Sequence, residues 1–366
     1  MPNKKDTNQK KSVSANVLVT AVGGIVGEGI IKSLKLANMS NSSPVKYRIY
    51  GADMNDQAAG LYRCDCGILI PPASSPDYIE SIKKIIAEDD ICAVYIGSDI
   101  ELVPLTKAKM EIESTSGAVV ITNPANVIDT ARDKWETFQF LRKNDLPVAT
   151  SCLPQDKEEF IRKYNFPLVV KPREGYASLH FYIVHNPEEL EYALRAIQKY
   201  GWRPIIQEYL NEMKQEFTSG VTIDKNGSYV MSSISLRKLP KSGQTYKAIV
   251  DSFDQIRKSA ESIAQKAGAR GPINVQAKFD GSQAKVFEIN PRLSATTPIR
   301  AAAGINEPDI LFRNSVLNER VHVTEYEKML CLRYWNEIYV GMGTYQELSG
   351  SGKIQQDNES YNINYF

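Results

Sequence analysis

Hydrophobic and polar positions alternate along the first third of the chain in a strand–helix rhythm. Val17-Leu-Val-Thr-Ala-Val22 is a short apolar run that stops at Gly23-Gly24, and Ile30, Ile31, Leu34 and Leu36 follow on a helix. A second run, Tyr47-Arg-Ile-Tyr-Gly-Ala52, ends at Asp53, and a third, Cys66-Gly-Ile-Leu-Ile70, is halted by Pro71-Pro72. Residues 77–87 place Tyr78, Ile79, Ile82 and Ile85 in a helical apolar set, and 91–96 and 118–121 are further apolar runs. Strands alternating with amphipathic helices predict a parallel sheet with covering helices, so the first domain, 15–125, is α/β.

Beyond the turn at Asn123-Pro124 the texture changes. Residues 127–143 are expected to be helical, with Trp135, Phe138 and Leu141 on one side. Residues 167–171 and 181–184 form an expected hairpin pair, and 187–200 a helix with Pro187 at its first position and Asn186 as cap. The runs 205–210, 217–224 and 229–236 alternate like antiparallel strands, and a helix near 253–267 follows. Two more strands, 273–279 and 284–289, are joined by Asp280-Gly281, a strong hairpin sequence. The second half is therefore α+β, divided into linker helices with a small lid (126–203) and a larger unit (204–340). Polar composition marks 1–14 as a disordered tail and 341–366, with Ser349-Gly-Ser-Gly352, as a C-terminal tail.

The 366 residues are 42% hydrophobic and 24% charged, the balance of a globular chain with a real core. Lys+Arg number 44 against 43 Asp+Glu, so no global field favours nucleic acid or a membrane surface, and an anionic ligand must be held locally. No apolar run reaches the roughly 18 residues of a membrane span. Five irregularly spaced cysteines point to reduced thiols in a cytoplasmic protein, and Cys64-Asp-Cys66 lacks the second pair that zinc requires. His180, His185 and His322 show no ligand spacing.

The chemistry concentrates in Asn274-Val-Gln276 and Glu288-Ile-Asn290-Pro-Arg292. Side chains alternate along a strand, so Glu288 and Asn290 share a face, and the tight turn at Asp280-Gly281 brings Gln276 back beside them. All three carry oxygen, which Mg²⁺ selects, and such sparse protein ligation suits a nucleotide site whose phosphates complete the octahedron. Arg292 adds a guanidinium fork for a phosphoryl or carboxylate group. Upstream, Val169-Val-Lys171-Pro-Arg-Glu-Gly175-Tyr-Ala-Ser178 places a lysine at a strand end before a loop whose N–H groups can cradle phosphate oxygens.

These segments, with Ser294-Ala-Thr-Thr-Pro-Ile-Arg300, resemble the ATP-grasp superfamily, most closely the branch similar to the carbamoyl-phosphate synthetase large subunit. The resemblance spans about Val17 to Leu332. It implies a Rossmann-like pre-ATP-grasp domain followed by an ATP-grasp fold, a small lid plus a larger α+β subdomain, with ATP between the last two. It implies ATP and two Mg²⁺, replaceable by Mn²⁺, with Gln276, Glu288 and Asn290 as metal ligands. Arg292 and Lys171 would act on the transferred phosphoryl group. Lys134, Lys171 and Ser178 would contact phosphates, Gln207, Glu208 and Leu210 adenine, and Glu216 the ribose. Arg237, Lys247 and Arg300 are cations available to the acceptor, alongside Lys238 and Lys241; Asp99 and Glu101 are placed to meet an amine. The flap has Gly175 where relatives carry more glycine.

The implied activity is ATP-dependent carboxylate–amine ligation through an acyl phosphate. Its partners are a small carboxylate and an amine, with no nucleic acid or membrane, in a possible homodimer. Two other readings stay open: a kinase that stops at the phosphoryl product, and an NAD-dependent oxidoreductase. The last rests on Gly23-Gly-Ile-Val-Gly27 and Asp53, which imitate a dinucleotide fingerprint without its clean spacing.

Overall fold

The computed structural model describes residues 12–40, 43–175, 179–210, 215–239, 245–334, 336–356 and 360. Most of the expected N-terminal tail, Ser178 and Lys241 lie outside the described residues. Strands β1 (Val13–Val19), β2 (Val45–Asp53), β3 (Cys66–Leu69), β4 (Ala93–Tyr95) and β5 (Val119–Ile121) form a parallel sheet in the order β3-β2-β1-β4-β5. The order reverses between β1 and β4, which leaves a crevice at the carboxyl ends of those two strands. The helix Asp99–Ser116 that follows β4 has a weak sequence pattern, because Pro104 sits in it and most of its surface is polar.

Residues 127–143, expected as one helix, are two: Ala125–Arg132 and Lys134–Lys143. The break is Asp133, whose extended backbone leaves its carboxylate free to accept from Trp135 N at 2.9 Å and cap the second helix. That cap sets where Lys134 begins.

The lid is a four-stranded sheet of β6 (Ser151–Cys152), β7 (Leu168–Pro172), β8 (Tyr182–Val184) and β9 (Pro204–Glu208), ordered β6-β9-β7-β8. Its back is closed by Phe160, Leu190, Leu194 and Ile197 from two helices. The larger sheet holds β10 (Gln215–Ile223), β11 (Val230–Lys238), β12 (Lys247–Val250), β13 (Pro272–Phe279), β14 (Ala284–Asn290) and β15 (Met329–Leu332), ordered β14-β13-β10-β11-β12-β15. One face packs on helix Asp254–Lys266 through Ile263 and Ala264. The other shares a core with the first domain, where Ile30 and Leu34 belong to the same cluster as Ile234, Leu236 and Val250.

The chain beyond 341 is not simply a tail. Helix Met342–Ser351 and strand β16 (Lys353–Gln355) return to the first sheet, where β16 pairs antiparallel with β3. Buried Leu348 and Ile354 and the ion pair of Lys353 with Asp89 hold this polar segment down. Two apolar residues spaced so far apart leave no periodic pattern in the sequence.

Arg300 departs most from its expected role as an acceptor ligand. It is 1% exposed, pairs with Glu307 at 3.1 Å, and donates to Asn274 Oδ1 at 2.5 Å. Both charged groups lie flat against β10 at Gly220, where a Cβ would approach Arg300 Nη1 and Glu307 Oε1 to 2.1 Å. Glycine is needed there for space. Arg300 is therefore part of the packing beneath the sheet. Replacing Arg300 with Ala strands a buried carboxylate, with an expected loss of about 3–5 kcal/mol in urea unfolding. A mere substrate ligand would leave stability within about 0.5 kcal/mol.

Candidate functional site

The antiparallel register of β13 and β14 pairs Gln276 with Glu288 and Asn274 with Asn290. Opposed residues point to one face, so Gln276, Glu288 and Asn290 converge as their alternation requires. Gln276 Nε2 donates to Glu288 Oε2 at 2.7 Å. A register shift between Gln276 and Ala277 marks a bulge on the facing strand around Phe287, which turns the Phe287 carbonyl toward the lid. Among the described residues no group of three or more His, Cys, Asp or Glu forms a metal cage. Two amides and a carboxylate are the oxygen set available for a hard cation, and that set fits Mg²⁺ supplemented by phosphate oxygens and water.

Lys171 closes the site from the lid. It is the penultimate residue of the inner strand β7, is 6% exposed, and donates to Gln207 Oε1 at 2.9 Å and to the Phe287 carbonyl at 3.3 Å. Burial presses its pKa down to about 7; the nearby Lys134 charge adds to this and Glu288 opposes it. Among the described residues no carboxylate is hydrogen-bonded to it, so within that set its charge lacks a direct counter-ion. Gln207 is held in turn by donating to Ser151 Oγ at 3.0 Å. Val169, Gln207 and Ile183 are register partners and share the Lys171 face, which gives the lid an apolar wall with Ile183 39% exposed.

Lys134 is brought to the same cleft by the Asp133 cap, and its Nζ donates to the Gly175 carbonyl at 3.2 Å. Arg173 pairs with Asp133, tying the start of the flap to the helix that carries Lys134. The Glu208 carboxylate accepts from Thr150 N at 2.7 Å and from Lys285 Nζ at 2.8 Å, stitching lid to β14. Its side chain is thus structural, and its N–H donates to the Thr150 carbonyl at 2.9 Å, which leaves its own carbonyl as the part available to a ligand. The Leu210 carbonyl accepts from Lys278 Nζ at 3.3 Å.

Register separates the remaining cations. Thr218 pairs with both Gln276 and Leu236, so even-numbered residues of β11 share the Gln276 face and Arg237 points to the other one. Arg237 pairs with Ile249, and Lys247 follows the same alternation on β12. Arg237 and Lys247 therefore do not join Gln276, Glu288 and Asn290. Lys238 does, paired with Glu216 across β10 and β11. The sequence reading favoured Arg237 and Lys247 over Lys238, because parity needs a known partner strand.

Arg292 faces the first domain. Its Nε and Nη2 donate to Asp99 Oδ1 and Oδ2 at 2.7 and 2.5 Å, and burial, which works against its charge, is more than offset by Asp99. A cavity of about 190 Å³ beside this pair is lined by Asp99, Arg132, Lys134, Trp202, Glu288 and Asn290. Glu101, expected near an amine, is instead buried and accepts from Thr20 Oγ1 at 2.7 Å and Tyr78 OH at 2.9 Å. The glycine loop is occupied by its own domain. Asp53 accepts from Gly23 N at 2.8 Å and Asn55 N at 3.0 Å, and Gly60 lies so close that a Cβ would approach the Val22 carbonyl to 2.1 Å. The carboxylate that a dinucleotide reading assigns to a ribose is committed to the loop.

Three family models tile the chain: "PylC-like, N-terminal domain" over 25–121, "RimK-like ATP-grasp domain" over 131–228, and "ATP-grasp in the biosynthetic pathway with Ter operon" over 203–338. The chain is an ATP-grasp protein with a single grasp unit. Among curated relatives it is 25% identical to the carbamoyl phosphate synthase large chain of Helicobacter pylori, across 72% of this chain and 26% of that one. The ATP-grasp protein thus spans about a quarter of that relative's length. Its fold is shared with N5-carboxyaminoimidazole synthetase from Staphylococcus aureus complexed with ADP, at TM-score 0.64 and 15% identity, covering 93% of this chain and 85% of that one. It is shared also with the biotin carboxylase domain of Hydrogenobacter thermophilus 2-oxoglutarate carboxylase in complex with MgADP, at TM-score 0.65 and 14% identity, covering 96% and 83%.

Burial raises the Glu101 pKa from its ordinary 4.5 to about 7, with hydrogen bonds from Thr20 and Tyr78 opposing the rise. Between those values the folded protein holds a proton that the unfolded chain has released, so this carboxyl's stabilisation falls as pH rises and levels off above 7. Urea unfolding at pH 5 and pH 8 should show Glu101→Gln gaining on the wild type at the higher pH, by about 3 kcal/mol.

Proposed function

We propose that this ATP-grasp protein is an ATP-dependent carboxylate–amine ligase acting on small molecules. The observation that carries the reading is the convergence of Gln276, Glu288 and Asn290 on the strand pair that faces Lys171. In this reading ATP lies between the lid and the larger sheet, and a structural relative is known in complex with ADP. Backbone groups of Glu208 and Leu210, with Gln207 nearby, meet adenine, and Glu216 releases Lys238 to accept from the ribose. Lys134, Lys171 and the flap with Ser178 hold the phosphates, while Gln276, Glu288 and Asn290 hold two Mg²⁺, for which Mn²⁺ can substitute. The metals supply charge neutralisation between the terminal phosphates.

A substrate carboxylate oxygen then bonds to the γ-phosphorus as the bridge to ADP breaks, giving an acyl phosphate. Lys171 and Arg292 offset charge on the phosphoryl oxygens during this step. The amine nitrogen next attacks the acyl carbon, the C–O bond to phosphate breaks, and the nitrogen loses a proton to leave an amide. The desolvated Lys171 suits the first step, since its attraction for an anion is least screened where water is excluded. A cytoplasmic location and a homodimer complete the reading.

The decisive experiment is an ADP-release screen with pooled amino acids and small carboxylates, followed by mass measurement of any product. An amide is expected. A phosphorylated product with no amide overturns the ligase reading in favour of a kinase. For any substrate pair found, Glu288→Gln should lower turnover by more than about a hundredfold with an unchanged unfolding midpoint. Unaltered turnover removes Glu288 from the metal site.

A further inference from the structure

Arg292 follows the metal strand of the larger sheet, yet its strongest partner lies 193 residues away in the first domain. The contact with Asp99 is a fork on a fork, Nε to Oδ1 at 2.7 Å and Nη2 to Oδ2 at 2.5 Å. Nη2 also lies 3.4 Å from Asn290 Oδ1, and Nη1 donates to the Leu293 carbonyl at 3.0 Å. A guanidinium has five N–H groups. These contacts use four, and a single Nη1 proton is left for a ligand. An arginine so held cannot take a phosphoryl group in a two-point fork while Asp99 remains in place. It can give one hydrogen bond of defined direction.

Asp99 is itself firmly seated. It opens helix Asp99–Ser116, whose cap Ser98 accepts from Ile100 N at 3.4 Å, and a helix start favours a carboxylate. Two residues on, buried Glu101 is tied to Thr20 and Tyr78, which fixes this first turn against β1 and helix Tyr78–Glu88. Asp99 also lines the cavity that contains Glu288 and Asn290, so the pair sits at the edge of the metal face. The side-chain exposures, 14% for Arg292 and 27% for Asp99, leave the pair only partly screened by water.

We propose that Asp99 is a positioning residue for phosphoryl transfer: it holds Arg292 with its remaining Nη1 proton directed at the γ-phosphoryl position. The first domain thereby sets the geometry of the grasp unit's reacting end, beyond any role in holding the acceptor. This inference rests on the nucleotide site described under the proposed function. It concerns discrimination between nucleotides with and without a γ-phosphoryl group, because Arg292 lies past the ligands that any diphosphate would share.

The test is calorimetric titration of the full chain with Mg–ADP and with the non-hydrolysable analogue Mg–AMPPNP. Asp99→Asn keeps the shape but loses the charge that pins the fork. It should leave Mg–ADP affinity within about twofold and weaken Mg–AMPPNP by about tenfold, the effect of one misdirected charge-assisted hydrogen bond. Asp99→Glu, which retains the charge, should recover part of that loss. It carries the same comparison if Asp99→Asn does not fold, the expected shift then being smaller but still confined to Mg–AMPPNP. Equal weakening of both nucleotides would mark Asp99 as merely structural. Tighter Mg–AMPPNP binding would mark it as a competitor that the phosphoryl group displaces. Either result, or no change in either affinity, overturns the inference. A wild-type protein that binds neither nucleotide would instead remove the nucleotide site itself.

Discussion

A lysine taken out of water, with no carboxylate bonded to it among the described residues, sets the terms for the rest of this molecule. Lys171 is nearly fully buried, and its nearest partners are an amide oxygen and a peptide carbonyl, dipoles that orient the ammonium without neutralising it. Such a charge is costly in the empty protein and becomes favourable only when an anion is supplied. The lid is built to keep that arrangement in place. Gln207 is held by Ser151, Glu208 is locked to Lys285 and Thr150, and the bulge near Phe287 delivers the carbonyl that caps the ammonium. Each of these bonds joins the lid to itself or to β14, so the cleft for a nucleotide is defined before any nucleotide enters.

The opposite wall follows a different logic. The three oxygen-bearing side chains of β13 and β14 are placed by backbone register, which a neighbouring side chain cannot easily disturb. Farther along the same face Arg300 and Glu307 pair with each other, and Arg300 also donates to Asn274, in a space that Gly220 keeps open. The site therefore sets a buried lid cation, without a bonded carboxylate among the described residues, opposite a sheet face that carries the Glu288 carboxylate and two amides.

The first domain joins this site through packing as well as charge. Its helix Ile25–Met39 shares a core with β11, β12 and the helices after Arg292, and Asp99 reaches the guanidinium directly. The glycines that look like a cofactor fingerprint are crowded by their own domain: a Cβ at Gly23 would meet Ala58 Cβ at 2.8 Å, and one at Gly27 the Ala21 carbonyl at 2.3 Å. A glycine-rich turn after a first strand is thus an ambiguous feature: the same spacing serves close backbone approach whether the neighbour is a pyrophosphate or another part of the chain.

The sequence by itself determined what is local or repeats at short range. The parallel α/β first half, the lid hairpin, the Asp280-Gly281 turn and the common face of Glu288 and Asn290 all follow from alternation and turn chemistry between near neighbours. Only the tertiary structure decided whatever depended on a distant partner. Arg300 reads as a cation awaiting a ligand until Glu307 and Asn274 are seen around it. Which of Arg237 and Lys238 shares the Gln276 face is settled only once β10 pairs with β11. The C-terminal strand β16 has too few apolar residues to announce itself and exists because β3 offers it an edge. Asp99 and Arg292 meet across most of the chain, and no spacing rule connects them. Periodicity reports the face a residue takes on its own element, whereas charge pairing and burial depend on which other element arrives there.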